Sequence, residues 1–319
     1  SSLFDADIRP PLDAAGFPIL SPWFQNPRAR NMYFVGAPAH GRDYKRSSGG
    51  FIHGFRYLVR TLHTHLEAKN HARPWPYDVV PSVPAALTHD ILNRLDTTSS
   101  LFQMFSELTD VYAIVCNPDG NYRRFRDVPM DAVPTMDLGP DVVAFLVVDL
   151  NFHPDGGPDV FALERSKFSY IFPEESLLLH PVVRAYMGVP AEYRGKHMRQ
   201  SHFMEYHIPE EFLNRWTNTG RVRLALFFSR VLNHALGLQY PCLREYMEAN
   251  AERGYFLERD LKETKRLLLL ARRSAAFWSN RTYPKLPSQD QTALFARNIA
   301  LQEQFGFLKQ IRQRFPNVD

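Results

Sequence analysis

Cysteine is scarce in this chain: Cys116 and Cys242 are the only two among 319 residues. They form neither a CxxC pair nor a metal-like spacing, which argues against a dithiol relay and leaves a single disulfide open. Long apolar runs are also missing. The longest, 142–148 and 267–271, fall well short of the about twenty residues that a membrane-spanning helix needs. The first residues, SSLFDADIRPPLD, lack a basic patch leading into an apolar core, so they do not read as a signal peptide, which for a fragment says nothing of the parent protein. Nor is there an excess of charge of one sign. With 38 basic against 34 acidic residues, a formal balance of +4 and no basic block, the chain has no concentrated cationic face for nucleic acid. No internal repeat of the length that marks a solenoid is visible.

What remains is an ordinary globular composition, 45% hydrophobic and 23% charged, in a chain long enough for two domains. The most informative stretch is Asn31–Leu62, NMYFVGAPAHGRDYKRSSGGFIHGFRYLVRTL. Met32–Val35 reads as a short buried strand that stops at Gly36, and a polar loop then leads into Gly49 and Gly50. From there Ile52, Phe55, Val59, Leu62 and Leu66 recur at helical spacing and give one apolar stripe. A helix that begins on paired glycines presents unpaired N–H groups and the positive end of its dipole, and glycine lets a ligand approach the backbone.

Elsewhere the pattern predicts an α+β chain. Residues 1–30 are rich in proline and should be irregular, with Trp23 and Phe24 as core or cofactor-covering aromatics. The run 70–84, with prolines at 74, 76, 81 and 84, reads as a linker. Helices follow over 85–95 and 99–110, then strands over 111–116, 122–126, 142–152 and 160–163 that suit a small antiparallel sheet. Residues 201–208 read as an edge strand, and from Pro209 onward the chain reads as helical, over 210–216, 222–236, 243–251, 257–278 and 289–315. The expected domains are 1–75, 76–245 and 246–319.

Chemistry is harder to place. His63 and His65 sit two apart on a helix, and His202 and His207 fall on opposite faces of a strand, so no convergent metal site is readable. In the loop before the glycines, Arg42, Lys45 and Arg46 are candidates for neutralising a pyrophosphate or a nicotinamide cofactor's phosphate. His40 and His53 are the candidate proton-transfer residues beside the glycines. Ser47 or Ser48 is expected to cap the helix.

The run SSGGFIHGFRYLVRTLHTHLE and the residues before it resemble the last strand, glycine loop and closing helix of the FAD domain in flavoprotein oxidoreductases. Within these, the chain is similar to the FAD-dependent oxidoreductase domain-containing protein 2 family, kin to flavin monooxygenases and pyridine-nucleotide disulfide oxidoreductases. The likeness extends more weakly through SLFQMFSELTDVYAI, LLLHPVV and HIPEEFLNRWT, covering roughly 1–245. It implies FAD as cofactor, NADPH or NADH as electron donor, and an endoplasmic reticulum lumen setting for a eukaryotic member or a cytoplasmic one for a microbe.

Such proteins open on GxGxxG, which this sequence lacks. The expectation is therefore the carboxyl-terminal portion of a flavoprotein, 1–75 finishing an FAD-binding α/β domain whose missing amino-terminal segment is its partner. The family's Gly-Asp pair after the last strand is replaced by Gly36-Ala37, with Asp43 a distant substitute. The backbone of Gly49, Gly50, Phe51 and Ile52 is left as the expected contact to the flavin ring. On this reading the chain is an enzyme only when completed. The alternative is a non-catalytic protein-interaction module, docking through its carboxyl-terminal helices.

Overall fold

The computed structural model of the chain describes residues 4–43, 47–81, 84–116, 121–151, 179–208 and 218–236. These all lie in one compact unit, Ser1–Leu238. The architecture is α+β. Strands β1 (Tyr77–Pro81), β2 (Leu108–Val115), β3 (Asn121–Pro129), β4 (Val142–Asn151), β5 (His180–Met187) and β6 (Met204–His207) form one open sheet. Their order is β1-β3-β2-β4-β5-β6, and every neighbouring pair is antiparallel. The described helices are α1 (Ile52–His71), α2 (Pro84–Thr97), the single turn α3 (Ser100–Gln103) and α4 (Asn218–Leu236).

Strand periodicity divides the core between the two faces of the sheet. Val111, Ala113, Phe125, Phe145, Val147 and Tyr186 point to one face, where Val133, Met136, Leu138, Tyr193 and Met198 from the turns after β3 and β5 cover them. The alternate residues face α2 and α4: the Tyr112 hydroxyl donates to Asp90 of α2 at 3.0 Å, and Tyr206 lies 5.5 Å from the Phe227 ring of α4. β4 is buried along seven consecutive residues, as a strand inside a two-sided sheet must be.

Several expectations change. Residues 32–35 make no strand, and only Tyr33 forms an isolated bridge, to Gln25. A strand needs a ladder of partners, and one bridge is all this segment finds. The proline-rich run 70–84 contains β1, which the sequence concealed because prolines are tolerated at the edge of a sheet, where this strand sits. The helix expected over 99–110 is cut to one turn, since β2 takes over at Leu108. β5 was visible only as part of a family likeness. The strand at 160–163 and the helices at 210–216, 243–251, 257–278 and 289–315 lie outside the described residues.

α1 docks along a different line from the one its pattern suggested. Its buried residues are Gly54, Leu58, Thr61 and Leu62, while Ile52 and Val59 of the expected stripe are 72% and 45% exposed. The two lines share Leu62, which is buried. Gly54 and Thr61 decide between them: the first allows close backbone approach, and the second donates to the Asp127 carbonyl of β3 at 2.9 Å.

Candidate functional site

The entry to α1 is built from a tight turn. The Ser48 amide donates to the Gln103 carbonyl at 2.8 Å, and the Phe51 amide donates to the Ser48 carbonyl at 3.0 Å. Phe51 is the N-cap in extended conformation, with no side-chain cap, so neither Ser47 nor Ser48 caps the helix. A Cβ on Gly54 would overlap the Ser48 carbonyl oxygen and sit 2.5 Å from its carbon. Only glycine fits there. At Gly50 an added Cβ would meet the His40 ring at 3.2 Å, a side chain and not backbone.

The residues singled out in the sequence fall into two groups. Gly49, Gly50, Phe51, Ile52 and His40 come together at the helix entry, with His53 stacked on Phe51 at 5.5 Å and an interplanar angle of 11°. His53, Phe51 and Ile52 are exposed, and His40 is half-buried beside Phe17. Gly36 holds a left-handed turn, with φ of 79°, before the 3-10 helix Ala37–Asp43. Asp43 ends that helix, and its side chain, like Lys45 and Arg46, lies outside the described residues.

Arg42 is turned inward. Its Nε donates to Glu107 at 2.7 Å, Nη1 to the Ser21 carbonyl at 3.0 Å and Nη2 to Asp131 at 3.3 Å, while the guanidinium lies over the Phe24 ring. Glu107 is buried, and burial pushes its carboxyl up despite Arg42. Arginine supplies the fork that carboxylates and phosphates alike accept, and here carboxylates take it.

A second constellation lies at the far edge of the sheet, unseen in the sequence. On β4, β5 and β6, Asp149, Arg184, Glu205, His207 and His180 share one face through the antiparallel register. Arg184 donates to Asp149 at 2.6 Å and to Glu205, Arg199 reaches Asp149 at 3.2 Å, and His207 Nε2 lies 2.9 Å from Glu205. His180 Nε2 lies 2.8 Å from His207 Nδ1, and His202 Nε2 is 3.8 Å from Glu205. The sequence reading placed His202 and His207 on opposite faces. His202 precedes β6, however, and both approach the same carboxylate. Among the described residues no group of three or more His, Cys, Asp or Glu is arranged to hold a metal ion.

Burial opposes the charge on Glu205, but the His207 hydrogen bond and then the Arg184 guanidinium outweigh it and hold the carboxyl at about 2, against an ordinary 4.5. A depressed carboxyl contributes stability that is present above the unfolded value and lost as pH falls through the folded one. Stability should therefore decline between about pH 4.5 and pH 2, and Glu205→Gln should flatten that part of the profile measured by denaturant unfolding.

Comparison with known proteins gives the class first: the chain is homologous to proteins named for an FAD-dependent oxidoreductase domain. One is FAD-dependent oxidoreductase domain-containing protein 2 of Mus musculus, 31% identical over 213 residues, which are 63% of this chain and 31% of the relative. Its namesake in Danio rerio is 31% identical over 235 residues, 67% of this chain and 32% of the relative. The resemblance read from the sequence is thereby borne out, and the chain spans about a third of the length of these curated relatives. No protein-family model matches the chain, and no solved structure gives a significant match. No helix among the described residues is long and apolar enough to cross a membrane.

Proposed function

We propose that this chain is the carboxyl-terminal portion of an FAD-dependent, NAD(P)H-linked oxidoreductase, and that Gly49, Gly50 and the start of α1 close over the flavin ring. The observation that carries this reading is a group of apolar side chains left exposed at the entry and early turns of α1. Its inner line is buried, while Phe51, Ile52 and Val59 remain 62%, 72% and 45% exposed. Large apolar side chains left exposed along one line of a helix suit cover by a second layer. The second layer is the missing FAD-binding segment, which the homologous proteins have length to supply.

The helix entry fits one edge of a flavin and not its phosphates. Ile52 and His53 lie in the first turn, whose amides have no acceptor within the helix, and these can face the electron-rich carbonyl edge of the ring. Arg42 is already bonded to carboxylates, so it is not placed to hold the pyrophosphate. Bound flavin supplies two-electron chemistry, with NADPH or NADH as donor. His40 and His53 are the residues of this chain in position to hold or move a proton beside Gly50.

The test is flavin content of the full-length protein. Gly50→Val should force the His40 ring away from the entry and cut bound flavin, read from its visible absorbance. The double substitution Ile52→Glu, Val59→Glu should also release flavin, yet change the stability of the present chain by no more than about 0.5 kcal/mol, because both side chains are exposed. Unchanged flavin content in both variants sinks the proposal. Full-length protein that folds without any flavin supports the interaction module instead.

A further inference from the structure

We infer that Glu107 is a positioning residue for the helix entry: through Arg42 it seats the 3-10 helix that carries His40, while Gln103 of the same short segment seats the turn that carries Gly49 and Gly50. The consequence for a ligand rests on the flavin reading. The way the two halves are held does not.

His40 and Gly50 meet from different elements. A Cβ on Gly50 would lie 3.2 Å from the His40 ring, and the same ring packs edge-on against Phe17 at 5.8 Å. On the His40 side, Arg42 donates from Nε to Glu107 at 2.7 Å, and the two side chains are only 10% and 5% exposed. On the glycine side, the Ser48 amide donates to the Gln103 carbonyl at 2.8 Å, and the Ser47 hydroxyl lies 3.9 Å from the Met104 sulfur. Residues 103–107 therefore touch both halves of the entry.

That segment can serve as a fixed point because it is itself fastened. The Glu107 amide donates to the Met104 carbonyl at 3.2 Å, and the Met130 amide donates to the Glu107 carbonyl at 2.9 Å. Ser106 holds a left-handed conformation, with φ of 64°, and its carbonyl accepts Arg199 at 2.6 Å. Arg199 in turn reaches Asp149 of β4 at 3.2 Å. Met104 is fully buried, and β2 begins at Leu108. A buried ion pair cannot lose one partner cheaply, so the Arg42–Glu107 contact sets a distance. Groups that must meet a ligand within a fraction of an ångström need supports of this kind. Asp131 is the other carboxylate on Arg42, but its side chain is 72% exposed and such a pair holds little.

NMR of the 319-residue chain with labelled histidine and glycine tests the positioning, the His40 ring and the Gly50 amide being assigned through His40→Gln and Gly50→Ala. Glu107→Gln keeps the side-chain shape but removes the charge that Arg42 meets, and Arg42→Met removes the other end of the contact. Both signals should move in each variant. They should move less in Glu107→Asp, which keeps the charge on a shorter stem, and stay in place in Asp131→Asn. If Glu107 only stabilises the fold, Glu107→Gln will lower the melting temperature and leave both signals of the folded protein unmoved, and that result overturns the inference. In the full-length protein Glu107→Gln should also slow flavin reduction by NADPH or NADH, by up to about 10²-fold for a displacement of about 1 Å. Displaced signals with flavin reduction unchanged would uphold the positioning and count against the flavin reading alone.

Discussion

Arg94→Met should lower the stability of the described unit by about 3–5 kcal/mol at neutral pH, the cost of breaking a buried ion pair by removing one partner. Arg94 of α2 donates to Asp110 of β2 at 2.6 Å, to Asp127 of β3 at 2.9 Å and to Ser100 of α3 at 3.3 Å. Asp127 is brought there by a bulge: the register of β2 against β3 shifts between Thr109 and Val111, and Asp127 adopts φ of 55°. Arg60 and Thr61 of α1 bind the same residue, so one guanidinium stands at the junction of α1, α2, α3 and the sheet. Asp110 is fully buried. Burial pushes its carboxyl up even with Arg94 pulling it down, and without Arg94 it rises further. A carboxyl with a raised folded value costs stability as pH climbs through that value. The deficit of Arg94→Met should therefore be largest at neutral and alkaline pH and shrink on acidification. Adding Asp110→Asn to Arg94→Met should recover part of it, as coupled partners do. Denaturant unfolding at two pH values checks both, and a loss below about 1 kcal/mol at neutral pH would show that the network is solvated.

The parts of the fold that were legible are those whose local pattern agrees with their surroundings. β4 is a continuous apolar run that the sheet buries on both faces, and α4 covers the helix expected over 222–236. β1 was illegible because Pro81 and the prolines just before the strand suit a sheet edge, a rule that applies only once its place in the sheet is known. The helix expected over 99–110 failed for a related reason. Leu101, Phe105 and Leu108 have helical spacing, but Leu108 and the residues after it find ladder partners in β3 and β4, and tertiary pairing overrides propensity.

The site divides the same way. The glycine pair and the helix start were readable because both are contiguous in sequence. Arg42 was readable as a phosphate candidate but not as the partner of Glu107, sixty-five positions away. The Glu205–His207–His180 contact was beyond reach, since it depends on β5 lying beside β6 in one register. An i, i+2 spacing of Glu205 and His207 on a strand does put both on one face. That was the available signal, and it could not supply His180.

Gly54→Ala should be the most damaging single-methyl change in α1. Elsewhere on a helix this substitution gains about 1 kcal/mol of intrinsic propensity. Here the added carbon lands on the Ser48 carbonyl, 2.7 Å from Ser48 Cβ, and that carbonyl already accepts the Phe51 amide that shapes the entry. Backbone cannot rotate aside as a side chain can, so either the turn opens or α1 lifts from β3. Overpacking of this kind costs about 1–3 kcal/mol beyond the propensity gain. In a unit of this size each kcal/mol lost lowers the melting temperature by about 2–4 °C. Gly50→Ala is the matched comparison, because its new neighbour is the His40 ring at 3.2 Å, which can turn away. Gly54→Ala should therefore melt below Gly50→Ala in thermal unfolding followed by circular dichroism. On the flavin proposal, displacing the turn that carries Gly49 and Gly50 should also release flavin from the full-length protein. An alanine at position 54 that left the melting temperature at or above wild type would mean that the Ser48–Gly54 turn is not held as tightly as its geometry requires.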